Sequence, residues 1–191
     1  DDVVVQDLPA DDAAMIKSFP SPYTIIPISQ VQPIDLGARV LNAGGNAETN
    51  VGFNATIYKA YVGQIFTGPS ATAASLNPGD TSAVLSAGSW TPPDTGIYLL
   101  EFITTMTNAD ANNVNDTLDT YLVVDDTTYA RDYAAISGMI DNALGFNGAT
   151  GSMGVMYDFY NTATIKSVTF YCAAPTLGDT VSVSIYSTSG G

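Results

Sequence analysis

Apolar residues alternate with polar or small residues along several stretches of the chain, which is the pattern of strands with one buried face. The alternation is clearest in residues 34–41 and 51–57. Residues 97–106 form the most apolar run of the first part and are typical of a central sandwich strand. Residues 118–124 alternate again, and the polar residues 108–116 before them predict a hairpin loop between the two strands.

Weaker signals lie near the start of the chain. Val3–Val5 is a short strand signal. An Asp-Asp pair opens residues 11–16 and predicts one helical turn with an aspartate cap. Pro27 interrupts the apolar residues 23–28, which favours an edge strand because proline cannot donate to a hydrogen-bond ladder.

Strands joined by proline- and glycine-bearing turns indicate an all-β fold, and we interpret residues 1–126 as an Ig-like β-sandwich. The texture changes after Asp125–Thr128, where a glycine-rich part follows. We assign residues 127–191 to a second β-rich domain. Its predicted strands are residues 155–160, 165–172 and 181–186. So few strands do not close a sandwich, so we expect this domain to be truncated and the chain to come from a longer protein.

The charge balance excludes several classes of partner and chemistry. The 191 residues carry 19 acidic side chains and 5 basic ones, a net charge of −14, and no histidine. Nucleic acids and anionic membrane surfaces require basic patches, so neither is expected as a partner. The lack of histidine excludes a Ser-His-Asp triad and histidine-ligated metals. No apolar run has transmembrane length. The single cysteine, Cys172, excludes an intramolecular disulfide and fits a buried apolar position.

The acidic residues form no recognisable catalytic motif. They are 17 Asp and 2 Glu, and Asp favours turns. Glu101 lies on the face opposite Leu100 and Phe102 and is expected to point outward. The sequence Gly-Ser-Met-Gly at residues 151–154 lacks the spacing of a nucleophile elbow, and no base is available to activate Ser152. We therefore predict that the protein is not an enzyme.

Two acidic segments are candidate cation sites. Asp110, Asn112 and Asp116 have the alternating oxygen spacing of a calcium loop, although the glycine and the glutamate of an EF-hand are missing. The alternative is an Asx-rich loop whose side chains bond their own backbone. Calcium is the only cofactor that the sequence suggests. The second segment is a cation site between domains or a solvated linker with one Arg-Asp pair; its residues are Asp125, Asp126, Arg131 and Asp132.

The aromatic residues allow two interpretations. Tyr58 and Tyr61 flank Lys59, and further rings cluster at residues 157–160. Exposed ring faces would make a sugar-binding platform or a protein interface. Rings turned inward would form sandwich core and cross-strand pairs.

Short motifs add a family resemblance. Residues 23–30 (YTIIPISQ) and 40–44 (VLNAG) look like the opening of Ig-like, CARDB-type modules in secreted proteins exported by type IX secretion. Residues 76–80 (LNPGD) and 110–113 (DANN) fit the same pattern, and residues 129–132 (YARD) resemble the start of a following jelly-roll-like domain. The resemblance implies a secreted, extracellular or cell-surface protein. It also implies that residues 153–157 and 165–186 belong to the first strands of that jelly-roll-like domain.

The same resemblance suggests glycosylation. Thr117, Thr127 and Thr180 each follow an aspartate and precede Leu, Thr and Val, which resembles the O-glycan acceptor pattern of such secreted proteins. Asn54 and Asn115 begin N-glycan sequons.

These observations lead to one functional hypothesis and two rivals. The first is a non-catalytic structural or adhesive protein that associates with itself or with other surface proteins and glycans, and assembles into a fibre or surface layer. Edge strands without blocking charges support it. The first rival is an accessory spacer or carbohydrate-binding region of a larger secreted hydrolase. The second is a calcium-dependent adhesin.

Overall fold

The computed structural model describes residues 8–131, 151–170 and 180–187. Within these ranges all eleven strands lie between residues 13 and 125, and the one helical element is a 3-10 turn, Ile28–Gln30. The strands are β1 (Ala13–Ser18), β2 (Ile25–Pro27), β3 (Ile34–Asn42), β4 (Glu48–Thr49), β5 (Gly52–Lys59), β6 (Gly63–Thr67), β7 (Ala71–Thr72), β8 (Ser75–Leu76), β9 (Leu85–Trp90), β10 (Gly96–Thr105) and β11 (Thr117–Asp125).

Two sheets enclose the core. One has three strands in the order β1-β3-β9, and the other has the order β2-β11-β10-β5-β6, with β7 beside β5. A short ladder, β4-β8, closes one end. Neighbouring strands are antiparallel except β2 and β11, which are parallel. The all-β class is confirmed, and the arrangement is consistent with an Ig-like β-sandwich.

The core lies on the faces that the alternation predicted. In β5, Phe53, Ala55 and Ile57 are buried, and the facing sheet buries Leu36 and Val40 of β3. Side chains two residues apart point to the same side of a strand, so each strand contributes one apolar row. The two rows meet in one continuous hydrophobic cluster. This packing confirms the predicted buried faces of residues 34–41 and 51–57.

The central strand is also confirmed. β10 lies between β5 and β11, so Leu100 is opposite Ile57 on one side and Thr120 on the other. Phe102 of β10 contacts Phe53 of β5, with ring centroids 5.8 Å apart. The hairpin from β10 to β11 confirms the predicted loop at residues 108–116.

The first strand differs from the prediction. Residues 11–16 do not form a helical turn, because β1 pairs with β3 from Ala13, opposite Asn42, to Ser18. The apolar residues Ala13–Met15 are buried by this pairing. Their burial outweighs the local aspartate cap, since tertiary packing overrides a weak propensity. The predicted edge strand is confirmed, because β2 lies at the edge of its sheet, beside β11.

Residues 151–170 and 180–187 carry no strand, so the predicted strands are absent where the structure describes them. An alternating segment needs a neighbouring strand to form a ladder. Within the described ranges none is paired with these residues, and their apolar side chains are largely exposed. Cys172 and Val3–Val5 lie outside the described residues. The assignment of residues 127–191 to a second domain stays a prediction.

Candidate functional site

Three chain segments meet at one end of the sandwich. The carbonyls of Pro9 and Ala10 accept hydrogen bonds from the backbone N–H groups of Gly45 and Asn46, both at 2.9 Å. Asp12 extends this row of backbone hydrogen bonds, which we call the zipper, because its carbonyl accepts from the N–H groups of residues 43 and 44. The third segment is the 108–116 loop, whose Ala111 N–H donates to the Asp11 carbonyl at 3.0 Å. Backbone bonds therefore fix the side chains that all three segments carry.

A glycine makes this close approach possible. A Cβ atom at Gly44 would lie 2.8 Å from the Ala10 carbonyl oxygen and 2.8 Å from the Asp12 nitrogen. Both distances are below van der Waals contact, so any larger residue at position 44 would push residues 9–12 away.

Five carboxyl groups gather where the segments meet. We call this group the acidic cluster. Its members are Asp11, Asp12, Glu48, Asp110 and Asp116. Glu48, in β4, is fully buried, and Asp12 is only 3% exposed. Buried carboxylates are rare unless they are paired with a cation or hydrogen-bonded.

Asparagine amides surround the acidic cluster. Asn108 donates to Oε2 of Glu48 at 3.1 Å. Asn115 donates to Oδ1 of Asp12 at 2.9 Å. On the loop side, Oδ2 of Asp110 accepts from the Ala13 N–H at 2.9 Å. These bonds hold the carboxyl groups in place but do not neutralise their charge.

The hydrogen bonding of the acidic cluster is incomplete. Oε1 of Glu48 and Oδ1 of Asp116 are buried and have no hydrogen-bond partner, and the same is true of Oδ1 of Asn115. An oxygen that is buried without a donor keeps its full desolvation cost. Three such acceptors lie at this end of the fold.

The carboxyl groups perturb one another. Burial raises the pKa of Glu48, and the neighbouring Asp11 raises it further. Burial also raises the pKa of Asp116, and the nearby charges of Asp110 and Asp12 raise it further. The Asn46 amide, followed by the contact with Glu48, lowers the pKa of Asp11. The opposite shifts of Glu48 and Asp11 fit a shared proton that Glu48 keeps and donates to the Asp11 carboxylate.

The predicted calcium residues lie within this end of the fold. Asp110 and Asp116 belong to the acidic cluster, while Oδ1 of Asp110 accepts from the Asn112 N–H at 2.9 Å as an Asx turn would. The Asn112 amide turns toward Asp12 at 3.4 Å. In the ranges that the structure covers, no three Asp, Glu, His or Cys side chains already stand in a metal-holding arrangement. The sequence missed Glu48, Asp11 and Asp12, although Glu48 is one of only two glutamates in the chain.

The second acidic segment is arranged as a turn. Oδ1 of Asp125 accepts from the N–H groups of Thr127 and Thr128, at 2.9 and 2.7 Å. The Arg131 guanidinium lies over the Tyr23 ring, 4.9 Å from its centroid. Asp126 is exposed, and Asp132 lies outside the described residues.

A second contact region joins residues 157–161 to the sandwich. Gln30 is 1% exposed, and its Oε1 accepts from the N–H groups of Tyr160 and Asn161, both at 2.9 Å. Its Nε2 donates to the Asn161 carbonyl at 3.0 Å. The Tyr23 hydroxyl accepts from the Asp158 N–H at 2.7 Å. The backbone of this segment is therefore held by side chains of the first 30 residues.

Aromatic packing supports the same contact. The Tyr129 ring meets the rings of Tyr23, Tyr157 and Phe159, with centroids 5.2, 5.7 and 5.1 Å apart. Burial raises the pKa of Tyr129 to about 12. Two of the rings that the sequence grouped at residues 157–160, those of Tyr157 and Phe159, therefore pack edge to face against Tyr129 and do not form a flat platform.

The other aromatic group is divided between two environments. The Tyr58 hydroxyl donates to Oε1 of Glu101 at 3.3 Å, which places Glu101 on the outward face as predicted. Tyr61 is fully exposed at the tip of the β5–β6 hairpin, beside Val62 at 66% exposure. Its φ of 64° is in the left-handed region, which disfavours bulky residues. An exposed, strained aromatic tip is a candidate contact point.

β6 follows this tip and forms the free edge of the larger sheet. Its sequence, Gly-Gln-Ile-Phe-Thr, has no charge and no proline. Proteins commonly protect edge strands with charges, prolines or bulges. Here the protection is one register shift between Ile57 and Tyr58 of the partner strand.

The candidate glycosylation residues differ in access. Thr117, Thr127 and Thr180 are exposed. Asn54 is half-buried and accepts from the Ser70 hydroxyl. The Asn115 amide is engaged with Asp12, as described above, which disfavours a glycan on that nitrogen.

Among the residues that the structure describes, no helix is long and apolar enough to cross a bilayer. No family model matches the chain, and no curated protein matches it.

Solved structures do match. The CARDB domain of a Pyrococcus furiosus protein, solved by NMR, has a TM-score of 0.45 and 17% identity, covering 62% of this chain and 98% of that chain. A crystal structure of this CARDB domain in complex with di-metal ions has a TM-score of 0.42 and 19% identity, covering 65% and 97%. Residues 272–376 of a Methanosarcina acetivorans protein assigned to the cell surface have a TM-score of 0.40 and 20% identity, covering 60% and 92%.

Proposed function

We propose that this chain is a non-catalytic, CARDB-like β-sandwich module of a secreted or cell-surface protein, and that it associates with further copies through the edge of β6. The single observation that carries self-association is this uncharged edge strand. An open edge offers unpaired N–H and C=O groups to a strand of another chain.

The apolar hairpin tip extends the proposed contact surface. Tyr61 and Val62 are exposed next to the start of β6. A tyrosine adds a large contact area with one polar end, which is why tyrosine is frequent in interfaces. The net charge of −14 opposes association until salt or a bound cation screens it, so assembly is expected to increase with ionic strength.

Sedimentation velocity over a range of concentrations and salt tests the proposal. The edge variant is Gln64→Lys combined with Thr67→Lys, because both side chains are exposed on β6. The control places the same two charges at Gln32 and Thr128, which are exposed away from β6. We expect the parent and the control to assemble and the edge variant to remain monomeric. A parent that stays monomeric under all conditions, or an edge variant that assembles like the control, contradicts the proposal.

Export and glycosylation are the remaining parts of the proposal. We propose type IX export and O-glycans on Thr117, Thr127 and Thr180, whose exposure leaves them accessible. Intact mass of the native material tests the glycans, since each would add mass to the 19.9 kDa chain. Replacement of all three by valine should remove the added mass. Mass equal to that of the bare chain contradicts this part.

A further inference from the structure

Glu48 is a fully buried carboxyl group whose charged neighbours are acidic. Its Oε2 accepts from the Asn108 amide at 3.1 Å, and its Oε1 receives no N–H or hydroxyl donor. The charged groups that act on Glu48 are the carboxyls of Asp11, before β1, and of Asp110, in the loop between β10 and β11. Ionised Glu48 would therefore be a buried negative charge beside other negative charges, which is costly.

The contact between Glu48 and Asp11 requires a proton. Their carboxyl groups lie in hydrogen-bonding contact, and the Asn108 amide donates to both. Two ionised carboxylates offer only acceptors, so a hydrogen bond between them needs one carboxyl to stay protonated. Asp11 is partly exposed and also accepts from the Asn46 amide at 3.1 Å, whereas Glu48 is buried. The negative charge therefore belongs on Asp11 and the proton on Glu48.

We infer that Glu48 keeps a proton in mildly acidic solution, where an ordinary carboxyl group is ionised, and donates it to the Asp11 carboxylate. This bond is a pH-sensitive latch between β4 and residues 9–12. Residues 9–12 also form the zipper with residues 43–46, and the Asp11 carbonyl accepts from Ala111, so the latch supports contacts with two neighbouring segments. When Glu48 loses the proton, repulsion between two carboxylates replaces the bond and the latch opens.

The latch should make stability fall as the pH rises. Burial, followed by the contact with Asp11, raises the pKa of Glu48 above 4.5. Such a carboxyl stabilises the fold below its unfolded pKa, and the contribution is lost as pH rises through the folded-state pKa. The chain has no histidine, so side chains with ordinary pKa values do not titrate between about pH 5.5 and 7.5. A fall in stability within this window therefore reports a carboxyl group with a raised pKa.

Carbon-13 NMR tests the proton on Glu48 directly. The chain has only two glutamates, Glu48 and Glu101, so protein labelled at the glutamate carboxyl carbon gives two signals. The variant Glu48→Gln removes one signal and thereby assigns it. We expect the Glu48 signal to titrate with a midpoint clearly above 4.5, and a midpoint at or below 4.5 overturns the inference.

Thermal unfolding of the full chain from about pH 5 to 8, followed by Trp90 fluorescence, measures what the latch contributes. Glutamine keeps the shape of glutamate and can donate to Asp11 at every pH, so Glu48→Gln should fold with the latch closed. We expect the Tm of the parent to fall by roughly 2–5 °C across this range and that of Glu48→Gln to stay level. The matched control is Asp119→Asn, an exposed carboxylate on β11 outside the acidic cluster, which should fall like the parent. A level parent, or an equal fall in Glu48→Gln, contradicts the latch.

Asp116 is the rival source of a fall in Tm. Burial raises its pKa, and its carboxyl neighbours are Asp110 and Asp12. The variant Asp116→Asn separates the two carboxyls, because the fall should persist in it if Glu48 is the group that titrates. Loss of the whole fall in Asp116→Asn would assign the effect to Asp116 and overturn the inference.

Hydrogen exchange shows where the protein opens. The N–H groups of Gly45 and Asn46 donate to the carbonyls of residues 9 and 10. Their protection factors, corrected for the intrinsic pH dependence of exchange, should fall by roughly three- to tenfold with pH in the parent and stay constant in Glu48→Gln. The Gly68 amide, which donates to the Ala55 carbonyl, is the control. An equal loss of protection at Gly68 would show global destabilisation instead of a latch. None of these measurements depends on whether β6 mediates self-association.

Discussion

The buried Tyr98 donates its hydroxyl proton to Asp94, 2.6 Å from Oδ1 and 2.7 Å from the carbonyl oxygen of the same residue. Lys59 completes the arrangement, with its Nζ 2.7 Å from Oδ1 of Asp94. The turn before β10 is thereby tied to β5. The Tyr98 ring also packs against the ring of Trp90, which lies in the opposite sheet. The two rings are arranged edge to face with centroids 5.0 Å apart, so the contact joins both sheets.

This arrangement predicts an acid-dependent contribution to stability. The Lys59 hydrogen bond, followed by that of Tyr98, lowers the pKa of Asp94 below 3.8. A carboxyl group with a lowered folded-state pKa stabilises the fold above its unfolded pKa, and that contribution disappears as pH falls through the folded pKa. We expect Asp94→Asn to lower the free energy of unfolding near pH 7 and to have no effect in strong acid. Urea unfolding across this pH range measures the difference, and a difference independent of pH would contradict the prediction.

The packing of the core predicts that loss of one buried ring destabilises the fold much more than loss of the exposed side chain next to it. Phe102 is fully buried against Phe53, whereas Ile103 is 38% exposed on the other face of β10. Phe102→Ala should lower the free energy of unfolding by about 3–5 kcal/mol, from lost transfer energy and the cavity that remains. Ile103→Ala serves as the control and should cost clearly less. Chemical denaturation followed by Trp90 fluorescence measures both, and similar costs would show that the register of β10 is wrong.

The zipper between residues 9–12 and 43–46 predicts that alanine substitutions at two adjacent glycines differ sharply in their effect on stability. A Cβ at Gly44 meets backbone atoms at 2.8 Å, whereas the nearest atom to a Cβ at Gly45 is 3.7 Å away. Gly44→Ala should destabilise the protein by about 1–3 kcal/mol through overpacking. Gly45→Ala should change stability by about 0.5 kcal/mol or less. Thermal unfolding of the two variants side by side checks this, and equal Tm values would refute the close approach.

The hydrogen bonds of Gln30 predict that the backbone amides of Tyr160 and Asn161 are protected from hydrogen exchange. Because its side chain accepts from the N–H groups of Tyr160 and Asn161, Gln30→Ala should speed hydrogen exchange at both amides by roughly three- to tenfold. Gln32→Ala is the control, since Gln32 is exposed and bonds only the adjacent Val31 carbonyl. Hydrogen exchange followed by NMR resolves the two amides. Unchanged exchange in Gln30→Ala would mean that residues 157–161 do not dock on the sandwich in solution.

The sandwich strands were predictable because burial on one face imposes a period of two on the sequence. That period placed Phe53, Ala55 and Ile57 on the core side before any contact was known. Pro27 similarly marked β2 as an edge strand, since the reason is local to the residue. Features that depend on the local spacing of apolar residues, or on the chemistry of one residue, can be predicted from the sequence alone.

The acidic cluster and β1 were not predictable in this way. The hydrogen bond from Ala13 to Asp110 spans 97 residues, and no local pattern relates them. The Asp-Asp pair at residues 11–12 suggested a helix cap, whereas its real partners are in the 42–46 and 108–116 segments. Gln30 was missed for the same reason, because a buried glutamine is recognisable only from the backbone that it contacts.

The parallel pairing of β2 with β11 sets how the module would carry tension. Ile25, Ile26 and Pro27 run beside Val123, Val124 and Asp125 in the same direction. A pull on the chain before β2 and after β11 therefore slides the two strands past each other along their length. All the bonds between them share the load, instead of opening one at a time from an end. The parallel pair would come under this load once the bonds of Ala130 to Thr24 and Ile25, and those of β1 to β3, have opened.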